Sequence, residues 1–213
     1  YSLGGVMFNL NDFKPKDYIH IREFDFETLE QFLVDFSRLE ADPLVQIIPI
    51  YISSYGGDAY ALSGMRDLIK SSQKPVSTIC LGTAMSCGAF LLAMGTKGFR
   101  YCSPSSEIMV HEVAGGSSPL VKASEKMQDA IDTERLNEKF FKNFSEDTGN
   151  TYQALQEKIT ELRNADWYLT AQEAKKWGIV DHIATPRIGQ SPQVSFLALV
   201  EEPKKRKTKK KEA

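Results

Sequence analysis

The sequence contains little of what marks membrane, disulfide-stabilised or zinc-binding proteins. Its apolar runs fall well short of the ~20 residues that a helix needs to cross a bilayer, so no membrane association is expected. The 213 residues include three cysteines, Cys80, Cys87 and Cys102, an odd number at spacings that fit no zinc site. The first residues contain neither the basic segment nor the apolar core of a secretion signal, which favours a reducing, cytoplasmic location.

Positive charge is concentrated near one end of the chain. The net charge is −2, and residues 204–211 contribute seven basic side chains; without these seven charges the rest of the chain stands at −9. Nucleic-acid-binding domains carry their basic surface on the fold itself, so nucleic acid is not an expected partner of this acidic body. The tail is expected to be a solvated extension, with a docking arm that contacts polyanions as the alternative.

Apolar periodicity predicts alternating strands and helices. Helices are predicted at 27–41, 61–69, 89–94, 119–146, 151–163 and 171–176, and strands at 45–53, 76–81, 108–110 and 179–183. Pro49 cannot donate to a β-ladder, so it predicts that its strand is irregular there or lies at a sheet edge. Strands that alternate with helices in this order are typical of a parallel α/β domain.

Chemically suggestive residues follow three of these predicted strands. The pair Gly56-Gly57 follows the first, Ser86 lies in a small-residue turn at 82–88 after the second, and His111 follows the third. Sites in open α/β folds form at the carboxyl ends of the strands, so these residues are expected to converge. No metal or organic cofactor is called for by this set.

Each of these residues also has a structural interpretation. A serine at a strand-to-helix turn can be a nucleophile beside unpaired helical N–H groups, but it can equally cap the helix. A histidine after an apolar run can be the general base, or a buried core side chain. A nucleophilic hydroxyl needs such a base, and the base needs a third group to orient it.

Four ordered blocks, at 53–57, 76–82, 84–92 and 108–112, resemble the Clp protease proteolytic subunit. The resemblance implies an α/β fold, the crotonase/ClpP-like spiral of β-strands and helices, with a protruding handle helix at about 119–146. It places the peptidase domain at 27–184, between a divergent N-terminal segment at 1–26 and a C-terminal extension at 185–213.

The resemblance also implies roles for particular residues. Ser86 matches the family nucleophile and His111 the general base, and Asp166 takes the place of the third triad member. Asp181 and Asp147 remain alternatives for that third position.

Further positions match parts of the family that bind substrate. The backbone N–H groups of Gly57 and Cys87 match the oxyanion hole, and Gly115 and Gly116 lie where the family's substrate-binding strand begins. The sequence departs from the usual pattern at Tyr55, where proline is usual, and at Cys87, where methionine is common. It departs again at Glu112-Val113, where Gln-Pro is usual.

The implied protein is a serine endopeptidase that acts on polypeptides inside a homo-oligomer of stacked rings. An unfolding AAA+ ATPase of the Clp type is the implied partner. Three alternatives stay open: a catalytically silent ring subunit, a processing protease that works without an ATPase, and a crotonase-type acyl-CoA enzyme on the same fold.

Overall fold

A mostly parallel sheet organises the part of the chain that the computed structural model describes, residues 17–114, 122–163 and 165–184. Its strands are β1 (Ile19–Ile21), β2 (Ile48–Ser54), β3 (Val76–Met85), β4 (Arg100–Cys102), β5 (Glu107–Val110), β6 (Trp167–Thr170) and β7 (His182–Ile183). The order β1-β2-β3-β4-β7 is parallel throughout. Strand β5 pairs with β3 in parallel and with β6 in antiparallel orientation.

Six helices accompany the sheet within the described residues. They are α1 (Phe26–Ala41), α2 (Ala59–Ser71), α3 (Cys87–Met94), α4 (Ala123–Thr148), α5 (Tyr152–Glu161) and α6 (Ala171–Lys176). Most begin where the sequence provides a polar cap: the side chains of Asp25, Asp58, Thr151 and Thr170 accept hydrogen bonds from the first turns of α1, α2, α5 and α6. Helix α4 ends at Gly149, whose φ of 79° is the left-handed conformation that glycine adopts easily.

The α/β class and the predicted helices are confirmed, but the short strands β1, β4 and β6 were not predicted. Each has only three or four residues, too few for a periodic pattern to be distinctive. The predicted handle agrees with α4 from Ala123 onward, and its first predicted residues, 119–121, lie outside the described residues. The same holds for Gly115 and Gly116, for residues 1–16 and for the basic tail.

The predicted turn at 82–88 is wrong, because β3 continues to Met85. The first half of β3 pairs with β4 through Thr78–Cys80, and its second half pairs with β5 through residues 83–85. Gly82, at a φ of 84°, lies between the two halves. The second ladder keeps the chain extended, so the turn before α3 is reduced to Ser86 alone.

The prediction that Pro49 marks an irregular or edge position is also wrong. Strand β2 lies between β1 and β3, and its register irregularity falls at Ile52–Ser54 instead. The N–H of Ile48 donates to Pro75 on the β3 side, so the nitrogen of Pro49 faces the β1 side. The β1–β2 ladder begins one residue later, with the pair Ile19 and Ile50. Proline at position 49 therefore removes no hydrogen bond from that ladder.

Helix α3 is the centre of the core, with all eight residues buried. Its Phe90 ring contacts three aromatic rings of α4, with centroid distances of 5.7 Å to Phe140, 5.7 Å to Phe141 and 4.9 Å to Phe144. Edge-on and tilted contacts of this kind stabilise aromatic pairs beyond simple burial. The C-terminal half of the long α4 is thereby fixed against the helix that begins at Ser86.

Arg100 and the Asp147 carboxylate fix the end of α4 to the sheet and to α2. The guanidinium of Arg100 is 1% exposed; its Nη2 lies 2.6 Å from Asp181 Oδ1, and its Nη1 donates to the carbonyl of Asp147 at 2.8 Å. The Asp147 carboxylate in turn pairs with Arg66 and with Lys70, at 2.7 Å from the Lys70 ammonium. Both carboxylates therefore have structural partners.

Replacing Arg100 with methionine is expected to lower the free energy of unfolding by about 2–4 kcal/mol, because the partly buried Asp181 carboxylate loses its cation. Lys142→Met is the control: it breaks the exposed pair of Lys142 with Glu138 and should change stability by less than about 1 kcal/mol. Urea unfolding followed by tryptophan fluorescence measures both. Equal effects of the two variants would contradict the structural role given to Arg100.

Asp181 also makes stability depend on pH in a defined direction. Burial raises its pKa, but hydrogen bonds and charge from Arg100, together with the N–H groups of Gly98 and Arg100, lower the pKa below its ordinary value. Such a group stabilises fully above its unfolded pKa of about 3.9 and loses this effect as the pH falls through the folded value. The stability gap between wild type and Asp181→Asn should therefore shrink on acidification below about pH 4.

Candidate active site

Ser86 occupies a single-residue turn between β3 and α3. Its φ of 52° and ψ of −121° form a backbone conformation that side-chain-bearing residues rarely adopt. Its N–H donates to the carbonyl of Met109 in β5 at 2.8 Å, and its side chain makes no capping hydrogen bond to α3. Ser86 therefore stands at the cap position without acting as a cap. A strained backbone is what keeps its hydroxyl at the start of the helix.

Two glycines bring the end of β2 close to this turn. A Cβ on Gly56 would lie 2.7 Å from the Cβ of Ser86, so only glycine allows the two segments to approach this closely. A Cβ on Gly57 would lie 2.3 Å from the carbonyl oxygen of Phe24, with which Gly57 forms an isolated β-bridge. The first glycine is needed for Ser86, and the second for the bridge that fixes the turn.

Two backbone N–H groups beside Ser86 have no partner among the described residues, those of Gly57 and Cys87. In the bridge it is the next residue, Asp58, that donates to Phe24, and Cys87 opens α3, where N–H groups have no intrahelical acceptor. The thiol of Cys87 reaches the carbonyl of Gly57 at 3.2 Å and so joins the two segments. Burial raises the pKa of this thiol to about 11, which keeps it protonated near neutral pH.

His111 follows β5 directly and lies in the same cavity as Ser86. Strands β3 and β5 run in parallel with Met85 paired to Met109, so both residues come just after the carboxyl ends of neighbouring strands. His111 is half-buried and lines the cavity, which does not fit the alternative of an enclosed core histidine. The predicted convergence of the glycine pair, the serine and the histidine is observed.

Asp166 immediately precedes β6, as His111 immediately follows β5. The antiparallel register pairs Val110 with Trp167, and continuing it by one position sets His111 opposite Asp166. Directly opposed residues have Cβ atoms about 4.5–5.5 Å apart. Among the described residues no hydrogen bond joins Ser86, His111 and Asp166 to one another, and Asp166 is exposed.

Asp181 and Asp147, the alternatives for the third position, form ion pairs elsewhere in the fold. Asp181 accepts hydrogen bonds from Arg100 and from the N–H of Gly98, and Asp147 pairs with Arg66 and Lys70. None of the three carboxylates, Asp166 included, is among the described residues that line the cavity of Ser86 and His111. Asp166 is the carboxylate that the sheet register favours.

The cavity has a volume of about 300 Å³ and is walled by helices α2, α3 and α4 and by the segments that follow β2 and β5. Gly57, Ser86, Cys87 and His111 form its polar side, and Phe90, Leu136 and Phe140 belong to its apolar side. Within residues 17–114, 122–163 and 165–184, no group of three or more His, Cys, Asp or Glu side chains could hold a metal ion. Over the same ranges, no helix has both the length and the apolar character to cross a bilayer.

Comparison with known proteins agrees with this geometry. The sequence model of the Clp protease family matches residues 19–187. The chain belongs to the Clp protease family. It is 38% identical over 147 residues to the ATP-dependent Clp protease proteolytic subunit 2 of Prochlorococcus marinus (strain NATL2A), covering 69% of this chain and 71% of that relative. Identity to the proteolytic subunit 3 of Synechococcus sp. (strain CC9605) is 37% over 145 residues, 68% of this chain and 70% of the relative.

Membership of the Clp protease family makes the chain a peptidase relative and confirms the resemblance seen in the four sequence blocks. It also confirms the expected crotonase/ClpP-like fold, a parallel-dominated sheet with a long handle helix.

One residue of this chain that matters for the site was not predicted from the sequence. Asn137 of α4 is 9% exposed; its Nδ2 donates to Glu112 Oε1 at 3.1 Å, and its Oδ1 accepts the N–H of Val113 at 3.2 Å. Both bonds hold the segment that follows His111. The available signal was a polar residue on the apolar face of α4, between Leu136 and Phe140, where a buried side chain needs a hydrogen-bond partner.

Gly56→Ala should reduce the reaction of Ser86 with an active-site-directed fluorophosphonate by on the order of 100-fold, because the added Cβ displaces the serine. Gly98→Ala is a matched control: Gly98 also has a positive φ, 92°, but a Cβ there meets no atom within 4 Å. The labelling rate and the urea midpoint of each variant are measured together. Both should lose some stability, and an equal loss of labelling would contradict the contact between Gly56 and Ser86.

Proposed function

We propose that this member of the Clp protease family is a serine endopeptidase with Ser86 as nucleophile, His111 as general base and Asp166 as the group that orients the histidine. The observation that supports this most is the shared cavity, which contains Ser86, His111 and the two unpartnered N–H groups of Gly57 and Cys87. A nucleophile, a base and two convergent donors are the parts that acyl transfer requires.

The reaction is an acyl transfer in two halves. His111 takes the proton of the Ser86 hydroxyl as its oxygen attacks the peptide carbonyl, and the N–H groups of Gly57 and Cys87 stabilise the negative oxygen that forms. The leaving amine takes the proton from His111, and the acyl group remains on Ser86. Water, deprotonated by His111, then attacks the ester and releases the acid, which restores the serine. Asp166 stabilises the charged imidazole in both halves.

The proposal includes a ring-shaped homo-oligomer that encloses the sites, with polypeptides as substrates and a Clp-type AAA+ ATPase as partner in the cytoplasm. The relatives carry the words ATP-dependent in their names. On the handle α4, Met127 and Ile131 are one turn apart and 69% and 53% exposed. Apolar side chains exposed together in this way suit contact with another copy of the chain.

Ser86→Ala should lower the hydrolysis of a fluorogenic peptide by on the order of 10⁴-fold or more and remove labelling by a fluorophosphonate. The native oligomer is the sample, and its size is measured alongside so that loss of assembly is not mistaken for loss of chemistry. If the assembled wild type neither cleaves nor labels, the chain is a silent subunit and the proposal is wrong.

Asp166→Asn tests the third position and should reduce kcat by up to about 10⁴-fold with little change in stability, because the exposed side chain supports no part of the core. Asp181→Asn should behave in the opposite way, losing stability and keeping activity in the folded fraction. Peptidase rates and urea midpoints of both variants separate the two roles. Full activity of Asp166→Asn would exclude Asp166.

A further inference from the structure

The cavity beside Ser86 carries charge of one sign. Among the described residues that line it, the carboxylates are those of Asp58 and Glu112, and there is no lysine or arginine. His111, Tyr60 and Cys87 are the other ionisable residues of this lining. Carboxylates in a partly enclosed site raise the local concentration of cations. The two carboxylates are held by different elements of the fold.

Asp58 has one carboxylate oxygen engaged in folding the chain. Its Oδ1 accepts the N–H groups of Tyr60 at 2.7 Å and Ala61 at 2.9 Å, which caps α2. Its charge contributes to the field in the cavity, but its position is fixed by the helix. Glu112, by contrast, is bonded to Asn137 of α4, whose neighbours Leu136 and Phe140 contribute to the apolar part of the lining.

Glu112 is held at the cavity with one carboxylate oxygen still open. Its Oε1 accepts from Asn137 at 3.1 Å, while Oε2 has no partner among the described residues. Asn137 is buried and also fixes Val113, so the carboxylate is anchored rather than free to turn into solvent. An oriented carboxylate with an open oxygen can accept from a substrate cation.

An apolar wall adjoins this carboxylate. Val113 follows it in the chain, and Leu136 and Phe140, on either side of Asn137 on α4, also line the cavity. A lysine or arginine side chain combines an aliphatic stem with a terminal cation, so its stem can pack on the wall while its head meets the carboxylate. An acidic substrate side chain would be repelled in the same place.

We propose that Glu112 is a specificity-determining residue that selects polypeptides with a lysine or arginine side chain flanking the scissile bond. The inference rests on the proposed peptidase function and names a substrate class for it.

The test compares wild type with Glu112→Gln, which removes the charge and keeps the oxygen that accepts from Asn137. The substrates are two fluorogenic peptides that differ only in lysine or methionine beside the cleaved bond. In wild type the lysine peptide should have a kcat/KM about tenfold higher than the methionine peptide, and the variant should lose that preference, mostly through KM. The lysine-to-methionine ratio is taken within each enzyme, so a general effect of the substitution on turnover cancels.

Glu107→Gln is the matched control, since Glu107 is an exposed carboxylate at the opposite end of β5 and does not line the cavity. It should leave the preference intact. The same lysine-to-methionine ratio in wild type and Glu112→Gln would overturn the inference while leaving the peptidase function standing.

Binding separates the two claims further. The affinity of both peptides, labelled with a fluorophore, is measured by anisotropy for Ser86→Ala and for Ser86→Ala with Glu112→Gln. Tighter binding of the lysine peptide that disappears in the double variant supports the inference even if turnover fails. Equal binding of both peptides to Ser86→Ala overturns it. Failure of the peptidase function is a different result: no hydrolysis and no fluorophosphonate labelling of the assembled wild type.

Discussion

The turn at Ser86 is the constraint on which the rest of the site depends. Only Ser86 separates the ten-residue strand β3 from the buried helix α3. At this position its backbone has a positive φ of 52°. The turn is held by the bond from its N–H to Met109 in β5 and by the close approach of Gly56. Strain of about 1–3 kcal/mol of this kind persists only where the surroundings fix it. It leaves the hydroxyl and the first N–H of α3 facing the same cavity.

The handle helix belongs to this site as much as to the outer surface of the protein. Its aromatic side chains pack on Phe90 of α3, and its Asn137 makes hydrogen bonds to the segment after His111. Near its C-terminal end, Asp147 pairs with Arg66 of α2. The base of α4 is thus coupled by direct contacts both to the helix behind Ser86 and to the loop behind His111. Changes at the inner half of the handle are expected to act on both residues together.

Much of the fold and of the site could be predicted from the sequence, because strand ends are strong markers in a parallel α/β domain. Ser86, His111 and the glycine pair each follow an apolar strand, and shared strand direction brings them together. The extent of β3 could not be predicted, since its second half depends on pairing with β5, a contact distant in sequence. Likewise, the roles of Asp181 and Asp147 depend on Arg100 and Arg66, partners that no local pattern connects.

The proposed pairing of Ser86 with His111 is tested directly by a peptidyl chloromethyl ketone. Such a reagent is bound as a substrate, is attacked at its carbonyl by the serine, and then alkylates the adjacent histidine. Peptide mass spectrometry of the treated native oligomer should find the adduct on His111 in wild type and not in Ser86→Ala. Equal alkylation of His111 without Ser86, or an adduct on His20 or His182 instead, would contradict the account.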